Sequence, residues 1–356
     1  MSKTSNRIVT YIVNLVAVVA LIFGINSFAT QGSSGGIISL VWTCCVFILM
    51  AASLNISMGI MGQLSLGQCG FMAVGAYTAT FVANQLKAAG FYESARSSNY
   101  IFVLLIGLVV GGIAAAIVGL ILGGPALRLD GDYLAIITLG FGLIIISILN
   151  NIAKPVLYSE DCGMYILDRI KGHYLWMIMA ITAICVALMF TFIRSKYGRA
   201  LKSIREDSIA SAASGININY YKILGFTFSA FFAGIAGVLY AAMMSSLATA
   251  NFNFVNSNIY NSIFIVVMVV LGGMNSFTGS VVTAAAMVII NQGISSIPQS
   301  SFIHPIAKYP MLLYAIILIL FILFRPKGIF GSAEFSLMGI VRSIGKLFKK
   351  GGKAHE

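Results

Sequence analysis

The amino-acid sequence predicts an all-α polytopic membrane protein of about ten transmembrane helices, some of them broken or re-entrant, with one short helix exposed on the cytoplasmic side. Two observations predict it. Of the 356 residues, 59% are hydrophobic and only 9% charged, and the mean hydropathy is +0.96; soluble domains carry roughly a quarter charged residues. Apolar runs long enough to cross a hydrocarbon core of about 30 Å recur along the whole chain. One transmembrane domain at 1–331 is expected, followed by a basic tail at 332–356.

Taken in order, Lys3 and Arg7 precede an apolar run from Ile8 to Phe28. That run exceeds the roughly 7–15-residue apolar core of a secretory signal, so it reads as a retained first span. Breaks at glycine, proline and charges then delimit spans at 8–29, 37–58, 64–86, 101–123, 133–153, 174–193, 222–246, 258–273, 276–292 and 309–324. Two places depart from the pattern. "GIMGQLSLGQCG" (Gly59–Gly70) interrupts its apolar run with glycines and polar residues, and "LGGMNSFTG" (Leu271–Gly279) joins two spans with almost no loop. Both read as broken or re-entrant helices. Cys44, Cys45, Cys69 and Cys185 fall inside apolar runs and only Cys162 in a polar loop, so neither a disulfide framework nor metal-ligand spacing is expected.

With the N-terminus in the cytoplasm, 16 Lys and Arg fall on cytoplasmic segments and 6 outside, together the 22 in the chain. The positive-inside rule therefore predicts both termini cytoplasmic. The formal charge of +12 resides largely in the cytoplasmic loop and tail. Its expected partner is anionic lipid headgroups, and nucleic-acid binding is not expected.

All acidic residues, histidines, lysines and arginines lie in loops, tails or span edges under this assignment. Ion-coupled pumps keep ionisable groups at membrane depth because a buried charge is costly and is retained for work. The sequence also lacks a G-x-x-x-x-G-K-[ST] phosphate loop, and no nucleophile–base pair is in evidence. No enzyme activity and no cofactor on this chain are expected, and energy for uphill movement has to come from another polypeptide.

The stretch "GRALKSIREDSIASAASG" (Gly198–Gly215), within a loop at 194–221, is the longest polar helical segment between two spans. Leu201, Ile204, Ile209 and Ala212 cluster on one face of a 3.6-residue helix, and Gly215 supplies a left-handed stop. Such a helix either docks into a groove on a partner or lies on the headgroups, and periodicity alone leaves both open.

This stretch, with "GININYYKILGFTFSAFFAGIAGVLYA" after it, resembles the conserved cytoplasmic loop of ABC-transporter permeases, specifically the LivM-type permeases of branched-chain amino acid importers. Gly198, Arg199, Ala200, Leu201, Ile204, Arg205, Glu206, Asp207, Ala210, Gly215, Ile216 and Asn217 match the family's loop, and Ser229, Ala230, Phe231, Ala233, Gly234, Ala236 and Gly237 the span after it. In the general E-A-A-x-x-x-G signature the Glu position is Ile209 and the second Ala is Ser211. "GQLSLGQCGFMAVGAY", "LRLDGDYLAIITLGFG" and "FRPKGIFG" resemble three further family stretches, so the similarity covers residues 40 to 331. The resemblance implies an ABC importer permease fold in the cytoplasmic (inner) membrane. It also implies four kinds of partner: two ABC ATP-binding subunits, a second homologous permease, an extracytoplasmic solute-binding protein and membrane lipid. The ATPase-coupling residues it points to are Arg199, Leu201, Ile204, Arg205, Glu206, Asp207, Ile209, Ala210 and Gly215.

Polar residues at the interrupted helices, Gln63, Ser65, Gln68, Tyr77, Tyr133 and Thr138, are the expected solute path, since freed backbone groups and polar side chains there need partners. Interhelical hydrogen bonding is the alternative for each. After Gly142 the chain reads "FGLIIISILNN" where the family often carries Glu and Arg. The resemblance thus speaks to the class more than to the solute: urea, a short amide or a sugar on the same architecture, or a passive small-solute channel, are the other readings.

Overall fold

The computed structural model describes residues 35–91, 100–127, 131–157, 175–243 and 262–295, with isolated positions between 316 and 331. The expected first span at 8–29, nearly all of the last at 309–324, Cys162 and the basic tail lie outside the described residues. Among the described residues the regular structure is entirely helical. In order these are α1 (Gly35–Asn55), a π-turn (Ile56–Ile60), α2 (Gln68–Ala88), α3 (Tyr100–Ala126), α4 (Asp132–Leu157), α5 (Leu175–Arg194), α6 (Lys196–Glu206), α7 (Ser208–Ala213), α8 (Ile218–Met243), α9 (Ser262–Gly272) and α10 (Phe277–Ser295).

Five segments are long and apolar enough to cross a membrane: α1 with its π-turn, α3, α4, α5 and α8. The count of ten is therefore larger than what the described residues display. The exception with most to teach is α2. Its sequence is diluted by Gln68, Thr78, Thr80, Asn84, Gln85 and Lys87, and it falls below a lipid-facing composition, yet most of its side chains are buried. It packs against α3, α4 and α8, so its faces meet protein and do not need the hydropathy that lipid demands.

Both anticipated interruptions are present. The apolar run of α1 gives way at Ile56 to the π-turn, and the chain from Gly62 to Gly67 has no regular helical bonding before α2 starts at Gln68, four residues later than the expected 64. The polar and glycine-rich composition of that stretch explains the shift. At the other site α9 ends at Gly272, and Gly273 at φ +105 turns the chain into α10. The 11 described residues of α9 rise about 16 Å, half of a hydrocarbon core.

The bundle is organised around α8, which touches α1, α2 and α3. Four glycines, Gly75, Gly111, Gly234 and Gly237, allow it. A Cβ on Gly75 of α2 would run into the backbone of Gly234 on α8, and one on Gly237 into the carbonyl of Met72. A Cβ on Gly111 of α3 would lie 2.8 Å from the Gly75 carbonyl oxygen, and one on Gly234 2.5 Å from Ala115 Cβ. The three helices thus meet backbone to backbone, the small-residue packing available where hydrophobicity cannot drive helices together in lipid. Around this contact the indole N–H of Trp42 on α1 donates to the Leu239 carbonyl at 2.9 Å. Gln68 Nε2 donates to Ser53 Oγ at 2.9 Å and to Ser229 Oγ at 3.2 Å, while Ser229 Oγ donates to the Ser53 carbonyl at 2.7 Å.

Because relief of the Gly237–Met72 contact requires backbone movement, Gly237→Ala is expected to destabilise the bundle by about 2 kcal/mol or more, the cost of overpacking. Gly124→Ala, in a helical position with open space around it, serves as the matched control. Thermal unfolding of the detergent-purified variants checks this, with a lowered midpoint expected for the first alone.

Candidate functional site

The loop at 194–221 is built on the end of α5. Ser195 caps α6, its hydroxyl accepting the Tyr197 N–H at 3.2 Å and donating to the Phe192 carbonyl at 2.6 Å. Gly198 lies so close to the Ile193 backbone that a side chain would not fit. Phe192 stacks on Phe228 of α8 with ring centroids 4.0 Å apart, and the Arg194 guanidinium sits 4.1 Å over the Phe190 ring. Further along α6, Leu201 and Ile204 are buried; a Cβ on Gly225 of α8 would approach Leu201 Cδ1 to 3.0 Å. Helix α6 is thus seated on the membrane bundle.

The periodicity of Leu201, Ile204, Ile209 and Ala212 predicts one continuous apolar stripe. The structure divides it. Asp207, extended at φ −152°, ends α6 and caps α7, its carboxylate accepting the N–H groups of Ile209 at 2.9 Å and Ala210 at 3.0 Å. An aspartate satisfies orphan N–H groups more readily than it continues a helix, so the axis turns there. Leu201 and Ile204 face the bundle, whereas Ile209 is 82% exposed and Ala212 is exposed as well. Ser211, the residue in place of the signature alanine, is buried and donates to Ser203 Oγ at 3.2 Å, holding α7 against α6. At the far end Gly215 adopts φ +83, with Gly215 N–H bonded to Ala212 O and Ile216 N–H to Ser211 O, a Schellman stop.

Of the expected coupling residues, Arg199, Arg205, Glu206, Asp207, Ile209, Ala210 and Gly215 are exposed, and Leu201 and Ile204 are turned inward. Arg205 does something else. Its Nη1 donates to the carbonyl of Gly59 in the π-turn and to Asn275 Oδ1 at 2.6 Å. An exposed residue, it lays its guanidinium end along the edge of the bundle.

The expected solute-path residues are partly brought together along the non-helical stretch from Met61 to Gly67. The Leu66 N–H donates to Thr138 Oγ1 at 3.1 Å, and Gly67 lies against the Thr138 carbonyl, so this stretch runs beside α4. Ser65 Oγ and Gln63 Oε1 are buried without a hydrogen-bond partner, as is Ser57 Oγ in the preceding π-turn. Buried polar atoms left open in this way are expensive unless another group arrives to meet them. Gln68 is engaged with Ser53 and Ser229, the interhelical alternative, and Tyr77 is buried within α2. Tyr133 is 73% exposed near the start of α4 and stands apart from the others. A narrow cleft beside Thr138 has apolar walls from Phe71, Leu122, Phe141, Ile145 and Phe226. Its one hydroxyl is already committed to Leu66 and Ala135, which leaves a small apolar gap between α2, α3, α4 and α8.

Sequence reasoning missed Asn55 and Asn275. Asn55 Nδ2 donates to Ser280 Oγ at 2.8 Å and to the Met274 carbonyl at 3.3 Å, pinning the π-turn to the α9–α10 turn. A polar amide at the end of an apolar run, four residues before an interrupting glycine, is the signal that could have found it. No group of His, Cys, Asp and Glu able to hold a metal ion occurs among the described residues.

Comparison with known proteins fits this architecture. Residues 36–323 match the family model for the branched-chain amino acid transport system / permease component. The chain is similar to the high-affinity branched-chain amino acid transport system permease protein LivM of Escherichia coli K12, 30% identical over 326 residues covering 83% of this chain and 70% of the relative. It is also similar to the probable branched-chain amino acid transport permease protein LivM of Methanocaldococcus jannaschii, 21% identical over 314 residues covering 80% and 90% of the two chains. A shorter similarity, 24% over 168 residues, 46% of this chain and 50% of the relative, links it to the probable ABC transporter permease protein YphD of E. coli K12. No solved structure matches. The matches cover the multi-pass helical body and the loop between α5 and α8, and the chain belongs to the branched-chain amino acid transport system permease family.

Proposed function

We propose that this chain is one of two related permease subunits forming the solute path of an ATP-driven importer, with branched-chain amino acids as the solute. Two ABC ATP-binding subunits sit on its cytoplasmic face, an extracytoplasmic binding protein delivers the solute, and both termini face the cytoplasm of the inner membrane. The names of the relatives support the solute. The absence of a phosphate-binding loop from the sequence supports an external energy source.

The observation that carries the reading is the exposure of Ile209 on a helix held in place at both ends. A large apolar side chain left in water on a rigid mount stabilises a complex when a groove covers it. The Asp207 cap, the Ser203–Ser211 bond and the Gly215 stop fix α7 before any partner arrives, which lowers the ordering cost of docking. Transmission of force follows by linkage: α7 has to bind the ATPase differently in its two nucleotide states.

Replacing Ile209 by Asp removes about 2 kcal/mol of apolar burial at that contact, equivalent to a roughly thirty-fold loss of ATPase-subunit retention. Because Ile209 is 82% exposed within this chain, membrane insertion and bundle stability are expected to be unchanged. Copurification of the ATPase subunits with Ile209→Asp measures this, and full retention would count against docking through α7. Asp207→Ala removes the cap and is expected to destabilise α7 by about 1 kcal/mol, whereas Asp207→Asn keeps an acceptor and most of that stability. Amide hydrogen exchange across 208–213 reads the difference, with faster exchange in the alanine variant only.

A further inference from the structure

We infer that Arg205 is a positioning residue that carries movement of the cytoplasmic helices into the broken segment of the membrane bundle, and that it is not a contact for the ATPase. The inference rests on the coupling reading above and deepens it.

The Gly59 carbonyl stands where the α1 backbone leaves its helical path. In an unbroken α-helix it would accept the N–H of Gln63. That N–H instead bonds Ser57 O at 3.0 Å, and the Met61 N–H bonds Ile56 O at 3.1 Å, the wider ring of a π-turn. Gly59 O is left to the guanidinium of Arg205. The same Nη1 reaches Asn275 Oδ1 in the α9–α10 turn at 2.6 Å. Gly62, at φ +71, leaves room for the Arg205 stem: a Cβ there would come within 2.8 Å of Arg205 Cγ. Asn55 closes the arrangement from within the bundle, bonding Met274 O and Ser280 Oγ. One side chain on α6 therefore ties together the two places where membrane helices are interrupted.

The consequence is energetic. If α6 moves with the ATPases, Arg205 either draws the Gly59 carbonyl with it or leaves the carbonyl of a buried residue without its donor, which is unfavourable. Either outcome biases the register of the π-turn, a local arrangement whose bonds can shift by one residue. The segment so biased carries Gln63 and Ser65, whose side-chain oxygens are buried and unpartnered in this state, and ends at the Leu66–Thr138 bond.

The test uses the complete importer, reconstituted with its ATPases and binding protein. A cysteine at position 63 (Gln63→Cys, with Cys162→Ser) reports the segment through its rate of reaction with a membrane-impermeant maleimide, with and without ATP and vanadate. With Arg205 present the rate is expected to differ about ten-fold between the two states, and in Arg205→Ala by less than about two-fold, while the ATPase subunits stay bound. Arg205→Lys, which keeps a donor but loses the fork, is expected to fall between. Three results overturn the proposal: nucleotide dependence that survives in Arg205→Ala, loss of the ATPase subunits from that variant, or no dependence at position 63 with Arg205 intact. Should Arg205→Ala fail to accumulate, Asn275→Ala removes one acceptor and is judged by the same outcomes, with a partial loss expected. Ile209→Asp in the same preparation separates the two failures. ATPase retained by that variant removes the docking reading, whereas ATPase released by it, together with wild-type labelling in Arg205→Ala, removes only the role of Arg205.

Discussion

The backbone contact of α2 with α8, where Gly75 meets Gly234 and Gly237 meets Met72, sets the distance on which the other packing depends. Lipid tails are as apolar as leucine, so helices in a bilayer gain little by hiding apolar surface from it. What holds them is the number of atoms in contact and the polar bonds that contact makes reachable. With α2 against α8, Gln68 comes within range of Ser53 and Ser229, and α3 fits its own glycine, Gly111, over the same junction. One methyl group in that seam would separate three helices and the hydrogen bonds among them.

The second constraint is that a span may be interrupted only if the freed backbone groups find partners inside the protein. The interruption after Asn55 meets it with two long-range partners, Arg205 for the Gly59 carbonyl and Thr138 for the Leu66 N–H, and Asn55 in turn serves the Met274 carbonyl of the second interruption. Each comes from a different helix. The break is therefore a joint between elements, and a change in any of them is felt at the same few residues. The side chains of Ser57, Gln63 and Ser65 remain the polar groups not yet matched there.

Much of this was legible in the sequence. Composition predicted a helical membrane body, and the glycine and polar residues at Gly59–Gly70 and Leu271–Gly279 marked the interruptions, because glycine and exposed amides are poor at continuing an apolar helix. Gly215 was legible as a helix stop for the same local reason. The division of the cytoplasmic helix at Asp207 was not, since an aspartate inside "REDS" reads equally as one more charge on a solvated face. Nor was the direction of Arg205. Helical spacing places it on a polar face, but only the fold brings Gly59 and Asn275 beneath it. Gln68 shows the same limit from the other side: its position beside a break suited a solute path, and two serines from distant helices claim it.

Ile209 occupies the place where the general permease signature has a glutamate. A groove lined with cations to receive a carboxylate gains nothing from a branched hydrocarbon and loses hydration in covering it, whereas a groove shaped for isoleucine rejects a charge. In the docking proposed for α7, a neutral knob at this position would select an apolar groove over a cationic one, and its fit would change little with ionic strength.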